Sequence, residues 1–228
     1  MGRLHHLQET LPKNIEECRN YDNVEFIVLN YNSPDEMEQW MKDNMMKHIK
    51  SGRVVYYKTT EPKYFDMSHS KNMANRLGTG NVLFTLDADT FVHNGVCSYL
   101  ADAFAKDNMF IGRTGGRVCL RSEFFHQARG YDEAFIGHGH DDKDFYWRCT
   151  AFLGMSGSDL SNVSYDMEHP IQDAVGSYKP GLRNIRQTLK HNYNIMLTRT
   201  KENLKNINKD GYGCGIVYKN FSDSPIFL

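Results

Sequence analysis

No stretch of this 228-residue chain approaches the roughly 18 consecutive apolar residues of a membrane-spanning helix, and the opening MGRLHHLQETLPKN lacks the apolar centre of a secretory leader. Cysteine is sparse: Cys18, Cys97, Cys119, Cys149 and Cys214 are odd in number, scattered, and never paired as C-x-x-C. That spacing excludes a disulfide framework and a zinc knuckle and fits a reducing compartment. A dominant charge is missing too, with a net charge of −1 and a pI near 6.8. Without a basic field to collect phosphates, nucleic acid is not an expected partner, and any polyanion contact must be local. Repeats, low-complexity segments and linker-like runs are also absent, so the chain reads as one soluble, cytoplasmic domain. What is present suits a packed interior: 40% hydrophobic residues, with 13 Tyr and 13 Phe.

Leu4, Leu7, Leu11 and Ile15 recur at helical spacing, with Pro12 expected to kink or divide the segment. VEFIVL (24–29) is a short, β-rich apolar run. In NYNSPDEMEQWM, which follows it, Ser33 is the expected helix cap, Pro34 the first helical residue and Glu36 the partner in a capping box. Met37, Trp40, Met41, Met45 and Ile49 then form one apolar face. VVYYK (54–58) is a second strand and leads to a helix around residues 70–77, ended by Gly78. After NVLFTLDADTFV (81–92), the pattern predicts a helix near 95–107, a strand at MFIG, a helix at SEFFHQAR and a helix opening at Asp141 or Asp142. One long helical pattern (181–205) follows Pro180. Helices alternating with continuous apolar runs predict an α/β fold with a mostly parallel central sheet flanked by helices.

In such sheets ligands bind beyond the carboxyl ends of the strands, and Asp87 and Asp89 stand at such an end. Strand residues two apart point the same way, so both carboxylates face one side while Ala88 leaves room for a ligand. Two carboxylates at a sheet rim need a partner, and a divalent cation tolerates both and attracts a diphosphate in turn. In the preceding SHSKNMANRLGTG, Lys71 can neutralise a phosphate and Asn72 can both donate to and accept from a base or ribose. These residues together resemble the glycosyltransferases of the GT-A fold, especially the family 2 type, in which a helix with an R-N or K-N pair precedes a strand ending in D-x-D. The resemblance implies that Asp87 and Asp89 hold Mn²⁺ or Mg²⁺ and the donor's diphosphate, with Asp87 on metal-bound water or ribose.

GYDEAFIGHGHDDKDFYWR (130–148) is similar to the G-W-x-x-x-F-x-G-W-G-x-E-D-x-D-x-x-x-R segment of galactosyltransferase-like and N-acetylgalactosaminyltransferase-like GT-A enzymes. Tyr131, Gly137, Gly139, Asp142 and Arg148 match, whereas His138, His140 and Asp141 depart from it, which bears on the sugar more than on the reaction class. The resemblance implies a glycine loop, including Gly139, open to donor and acceptor sugars. It makes Asp142 the base of an inverting transfer and gives Asp141 the sugar hydroxyls. A helix N-terminus independently favours ionised carboxylates at both positions. In YDMEHPIQDA (165–174), His169 falls where the family's late histidine completes the metal shell, and an imidazole donor suits Mn²⁺.

Family members open with a strand before a helix that carries an arginine. Arg3 resembles that arginine, and no strand precedes it here, so the first strand is expected to be missing from the nucleotide-sugar half (1–92). Residues 93–178 would form the acceptor and catalytic half. Asn30 and Asn32 stand where an acidic residue often reads uracil, and Asn30 is expected to bond the base. The remainder, 179–228, is a basic helical extension: eight Lys or Arg against Glu202 between Lys179 and Lys209. Its face is expected to be solvated, with Ile185, Leu189, Met196 and Leu204 on the body; the functional alternative is a weak contact with an anionic membrane through 179–209.

The expected function is metal-dependent transfer of a hexose or N-acetylhexosamine from a nucleotide diphosphate sugar, UDP-linked, to a glycan or lipid-linked saccharide. The rivals are a metallohydrolase built on His138, His140 and Asp142, with His169 and His191 left to complete its metal sites, and a GT-A-like binding module without turnover.

Overall fold

Strands β1 (Phe26–Tyr31) and β2 (Val54–Thr59) pair in parallel, in a computed structural model that describes residues 1–114, 116–168, 170, 175–199, 201 and 204–228. Successive strand side chains face opposite ways, so Val54 and Tyr56 enter one core cluster and Val55 and Tyr57 another. Helices α1 (Leu4–Glu17), α2 (Met37–Asn44) and α3 (Met46–Lys50) close the first cluster, and α4 (Met67–Leu77) closes the second with Met73 and Leu77. A parallel pair covered on both faces is the α/β arrangement that the continuous apolar runs predict.

Leu7, Leu11 and Ile15 of α1 are buried in the first cluster, and each such side chain contributes about 1.5–3 kcal/mol. That burial holds α1 as one unbroken element despite Pro12, which was expected to kink or divide it.

Two strands extend the first sheet antiparallel, in the order β1-β2-β9 (Ile216–Lys219)-β10 (Pro225–Phe227). The second sheet runs β3 (Val82–Phe84), β6 (Arg117–Arg121), β5 (Phe110–Thr114), β7 (Ser156–Asp159). Only its β5–β7 pair is parallel. A short ribbon joins β4 (Thr90–Val92) to β8 (Ser164–Asp166). Among the described residues parallel pairing is therefore confined to β1/β2 and β5/β7, because β5 returns directly into β6 as a hairpin, which needs no crossover helix. Among the described residues β1 and β3 each keep one unpaired edge, while Phe26, Val82 and Phe84 share a core cluster.

The other helices are α5 (Val96–Lys106), α6 (Ser122–Gln127), α7 (Asp141–Leu153) and α8 (Ile185–Arg199). Several local expectations are corrected. Ser33 does not cap α2, which starts at Met37 with no side-chain cap. Instead Ser33 Oγ accepts from Gly2 N at 2.7 Å and Asp35 Oδ2 from Leu4 N at 2.9 Å, serving donors that α1 itself cannot satisfy. Gly78 ends α4 as expected, in extended conformation at φ −66°. The buried residues of α8 are Thr188 and Asn192, and Ile185, Leu189 and Met196 are only half-buried. Among the described residues no helix is long and apolar enough to cross a membrane.

Candidate functional site

The D-x-D residues lie in the turn from β3 to β4 rather than within a strand, with Thr90 N donating to Asp87 O at 3.1 Å. Helix α1 grips this turn through polar residues one helical turn apart. Thr10 Oγ1 donates to Ala88 O at 2.7 Å, Asn14 Nδ2 to Thr90 O at 2.9 Å, and Asn14 Oδ1 accepts from Val92 N at 2.9 Å. Arg3, just ahead of α1, brings Nη1 to 3.5 Å from Asp89 Oδ2 and 2.8 Å from His6 Nδ1. Behind the turn, Arg117 on β6 pairs with Asp166 on β8 and donates to Thr90 Oγ1 at 3.3 Å.

Asp87 stands open to solvent at the rim. Surrounding protein pushes its carboxyl above the ordinary range, with Asp89 and Asp141 adding to the effect and Lys71 and Arg117 pulling it back. A raised Asp87 carboxyl with a second carboxylate two residues on is what a divalent cation relieves, so the residues present fit a metal on chemical grounds. Among the described residues no three His, Cys, Asp or Glu side chains gather as a complete ligand set, and His169 lies outside the described residues.

Lys71, on α4, joins the D-x-D to the second motif. Its Nζ lies 2.8 Å from Asp141 Oδ2, with both side chains nearly inaccessible, and 5.0 Å from the centre of the Tyr131 ring. Burial acts most strongly on Lys71 and would discharge it, but Asp141, Tyr131 and Asp87 outweigh burial and hold its ammonium charged above the ordinary lysine range. Asp141 and Asp142 are the first two residues of α7, with Asp144 beside them in the first turn, where the helix dipole favours negative charge. Asp142 Oδ2 is 3.1 Å from Arg113 Nη2 on β5.

The loop before α7 is clamped from several sides. Asn72 is fully buried: its Oδ1 accepts from Tyr131 N at 2.7 Å and its Nδ2 donates to Tyr131 O and Glu133 Oε1, each at 2.8 Å. Arg148, also fully buried, donates to Asp144 Oδ2 at 2.7 Å, Ala128 O at 2.6 Å and Gly130 O at 2.9 Å. Gly130 has φ +65°, and a Cβ there would lie 2.5 Å from Asn72 Oδ1. Gly139, φ +94°, faces Leu189 of α8, whose Cδ2 would be 2.5 Å from an added Cβ.

Arg3, Lys71, Asp87, Ala88, Asp89, Asp141 and Asp142 are thus connected through one set of contacts and charges. The Asn72 amide, expected at a base or ribose, makes its hydrogen bonds inside the protein, to Tyr131 and Glu133. Asn30, expected at the base, is buried, donates to Tyr56 Oη at 2.9 Å and accepts from Ser33 N at 2.8 Å. Asn32, at φ +47°, donates to Pro62 O at 2.8 Å. The H-G-H-D-D segment does not converge as a ligand cluster, because Asp141 and Asp142 turn to Lys71 and Arg113 while His140 packs near Tyr193 with ring centres 5.7 Å apart. Sequence reasoning missed Thr10, Asn14, Arg113 and Arg117. For the first two a signal existed: His6, Thr10 and Asn14 form a polar stripe beside the apolar Leu7, Leu11, Ile15 stripe.

This α/β fold, with carboxylates just beyond β3 and a second acidic pair at the start of α7, is that of the GT-A class. The glycosyl transferase family 2 profile matches residues 4–156, and the chain belongs to that family. No curated protein matches the chain. Among solved structures it is similar to the mannosyltransferase PcManGT from Pyrobaculum calidifontis in complex with GDP-Man and Mn²⁺ (TM-score 0.64, 14% identity, 87% of this chain and 61% of that one). It is also similar to GalNAc-T7 with UDP, GalNAc and Mn²⁺ (0.58, 15%, 84% and 47%) and to S. aureus TarS (0.60, 11%, 89% and 38%). The chain therefore spans less than two thirds of the length of each, and at these identities the likeness is one of fold.

Proposed function

We propose that the protein is a metal-dependent glycosyltransferase that moves a hexose or N-acetylhexosamine from a nucleotide diphosphate sugar, UDP-linked, to a glycan or lipid-linked saccharide hydroxyl with inversion, in polysaccharide or glycoconjugate synthesis. The observation that carries this reading is Lys71, whose charge acts on Asp87 of the D-x-D while its Nζ bonds Asp141 at the start of α7. One cation thereby links the prospective diphosphate site to the prospective acceptor site.

Asp87 and Asp89, with His169, would hold Mn²⁺ or Mg²⁺, which when bound neutralises charge on the leaving nucleoside diphosphate. Arg3 and Lys71 would add positive charge beside the phosphates. Asp142 would take the proton from the acceptor hydroxyl, after exchanging Arg113 for substrate, and Asp141 would orient sugar hydroxyls. The GDP-Man and UDP complexes of the structural neighbours support a nucleotide donor, and the mannose and GalNAc they hold leave the sugar to experiment. The weaker alternative for α8, a peripheral contact with an anionic membrane, would use the face on which Arg186, Lys190, Tyr193 and Leu197 are exposed at positions i, i+4, i+7 and i+11.

The test is release of UDP from a panel of UDP-sugars with Mn²⁺ and saccharide acceptors, using wild type, Asp142→Asn and Asp89→Ala. Asp142→Asn should retain nucleotide binding and lose transfer, and Asp89→Ala should lose metal-dependent binding. Full transfer by Asp142→Asn would remove it as the base.

A further inference from the structure

The two buried residues of α8, Thr188 and Asn192, are both polar, which is not how a helix docks when burial of apolar surface is the only requirement. Asn192 Nδ2 donates to Gly139 O at 2.7 Å and Ile136 O at 2.9 Å, and its Oδ1 accepts from Ile136 N at 3.1 Å. Thr188 Oγ1 lies 3.3 Å from His138 O and 3.1 Å from Ile185 O, and shares its one proton between them. In the backbone held in this way Gly137 and Gly139 use φ +61° and +94°, which glycine adopts freely, and His140 takes φ +70°, a region that residues with a Cβ avoid. A non-glycine residue stays there only where its surroundings over-determine it. Residue 140 is followed directly by Asp141 and Asp142 at the start of α7.

We propose that Asn192 is a positioning residue for transfer: by fixing the 136–139 backbone it sets the N-terminus of α7 and with it the Asp142 carboxylate. The role rests on the glycosyltransferase reading above. It also places a determinant of the site outside residues 4–156, the segment that carries the family profile.

The test uses the full chain with Asn192→Asp, which keeps side-chain size and the acceptor for Ile136 N but loses both N–H donors. Asn194→Ala, on the exposed side of α8, is the control. In Asn192→Asp, Mn²⁺-dependent nucleotide should bind with wild-type stoichiometry and donor KM should stay within about twofold, while kcat falls about tenfold to a hundredfold, the scale of a small misplacement of reacting groups. Backbone amide exchange should quicken at Ile136 and through 139–142, and the control should match wild type in every readout. A kcat loss accompanied by an equal loss of nucleotide stoichiometry would reduce Asn192 to a folding residue and overturn the proposal, as would an unchanged kcat. Should Asn192→Asp fail to fold, Thr188→Val, which deletes the bond to His138 O at nearly constant volume, carries the same comparison. If wild type turns over no nucleotide-sugar, the glycosyltransferase reading fails by itself; unchanged exchange across 136–142 in Asn192→Asp separately rejects the clamp.

Discussion

Replacing Lys71 by Met leaves Asp141 as a buried carboxylate without its cation. The pair is closely matched, 2.8 Å apart with side chains 9% and 5% accessible, so solvent cannot substitute for the missing ammonium. Removing one member of a buried pair costs about 3–5 kcal/mol, a large share of the roughly 5–15 kcal/mol that stabilises a domain. At this chain length the melting temperature should fall by about 6–20 °C. The loss should also depend on pH. Protonation removes the uncompensated charge from a buried carboxylate, so the variant's deficit against wild type should narrow on acidification. The double variant Lys71→Met/Asp141→Leu, with no charge left to bury, should recover most of the loss. Urea unfolding of the four proteins of this cycle at neutral and mildly acidic pH measures each quantity. A loss below about 1 kcal/mol, or a deficit that does not change with pH, would refute the buried-pair reasoning.

The raised Asp87 carboxyl takes up its proton at higher pH than a free aspartate, so Mn²⁺-dependent nucleotide binding should weaken on mild acidification; equal affinity at neutral and mildly acidic pH would remove Asp87 from the metal site. Gly130→Ala forces a Cβ to 2.5 Å from Asn72 Oδ1 at a backbone φ of +65°, and should cost about 1–3 kcal/mol in urea melts. Arg148→Met strands the buried Asp144 and should cost about 3–5 kcal/mol, whereas an unaffected melt would show that the 128–130 carbonyls do not depend on the guanidinium. Co-sedimentation with anionic vesicles should fall on Arg186→Glu/Lys190→Glu, and binding that survives both changes would dismiss the α8 surface.

The parts of the fold that were legible in the sequence carry strong periodicity. The Leu7, Leu11, Ile15 face of α1, the VEFIVL and VVYYK runs and the helix opening at Asp141 all lie where their patterns place them. Strand β6 was not anticipated, because RVCLR is short and bounded by arginines, although Gly115 and Gly116 ahead of it are a hairpin signal. Strands β9 and β10 lie in a glycine-rich segment that owes its place to β2, a partner more than 150 residues earlier in the chain. At the site, acidic residues could be read from motif and spacing, but their partners could not. Arg113 on β5 reaches Asp142 on α7 and Arg117 on β6 reaches Asp166 on β8, and Asn72 resembles a ligand-binding residue while its amide holds Tyr131. Side chains that support a loop and side chains that bind a ligand have the same chemistry, and only tertiary placement separates them.

Calorimetric titration of UDP into the purified chain with Mn²⁺, repeated with chelator and with GDP, tests the central claim most directly. Binding that requires Mn²⁺ and is tighter for UDP is the expected result. UDP binding of equal strength under chelator, or folded protein that binds no nucleotide, would contradict a metal-dependent nucleotide-sugar site at Asp87 and Asp89.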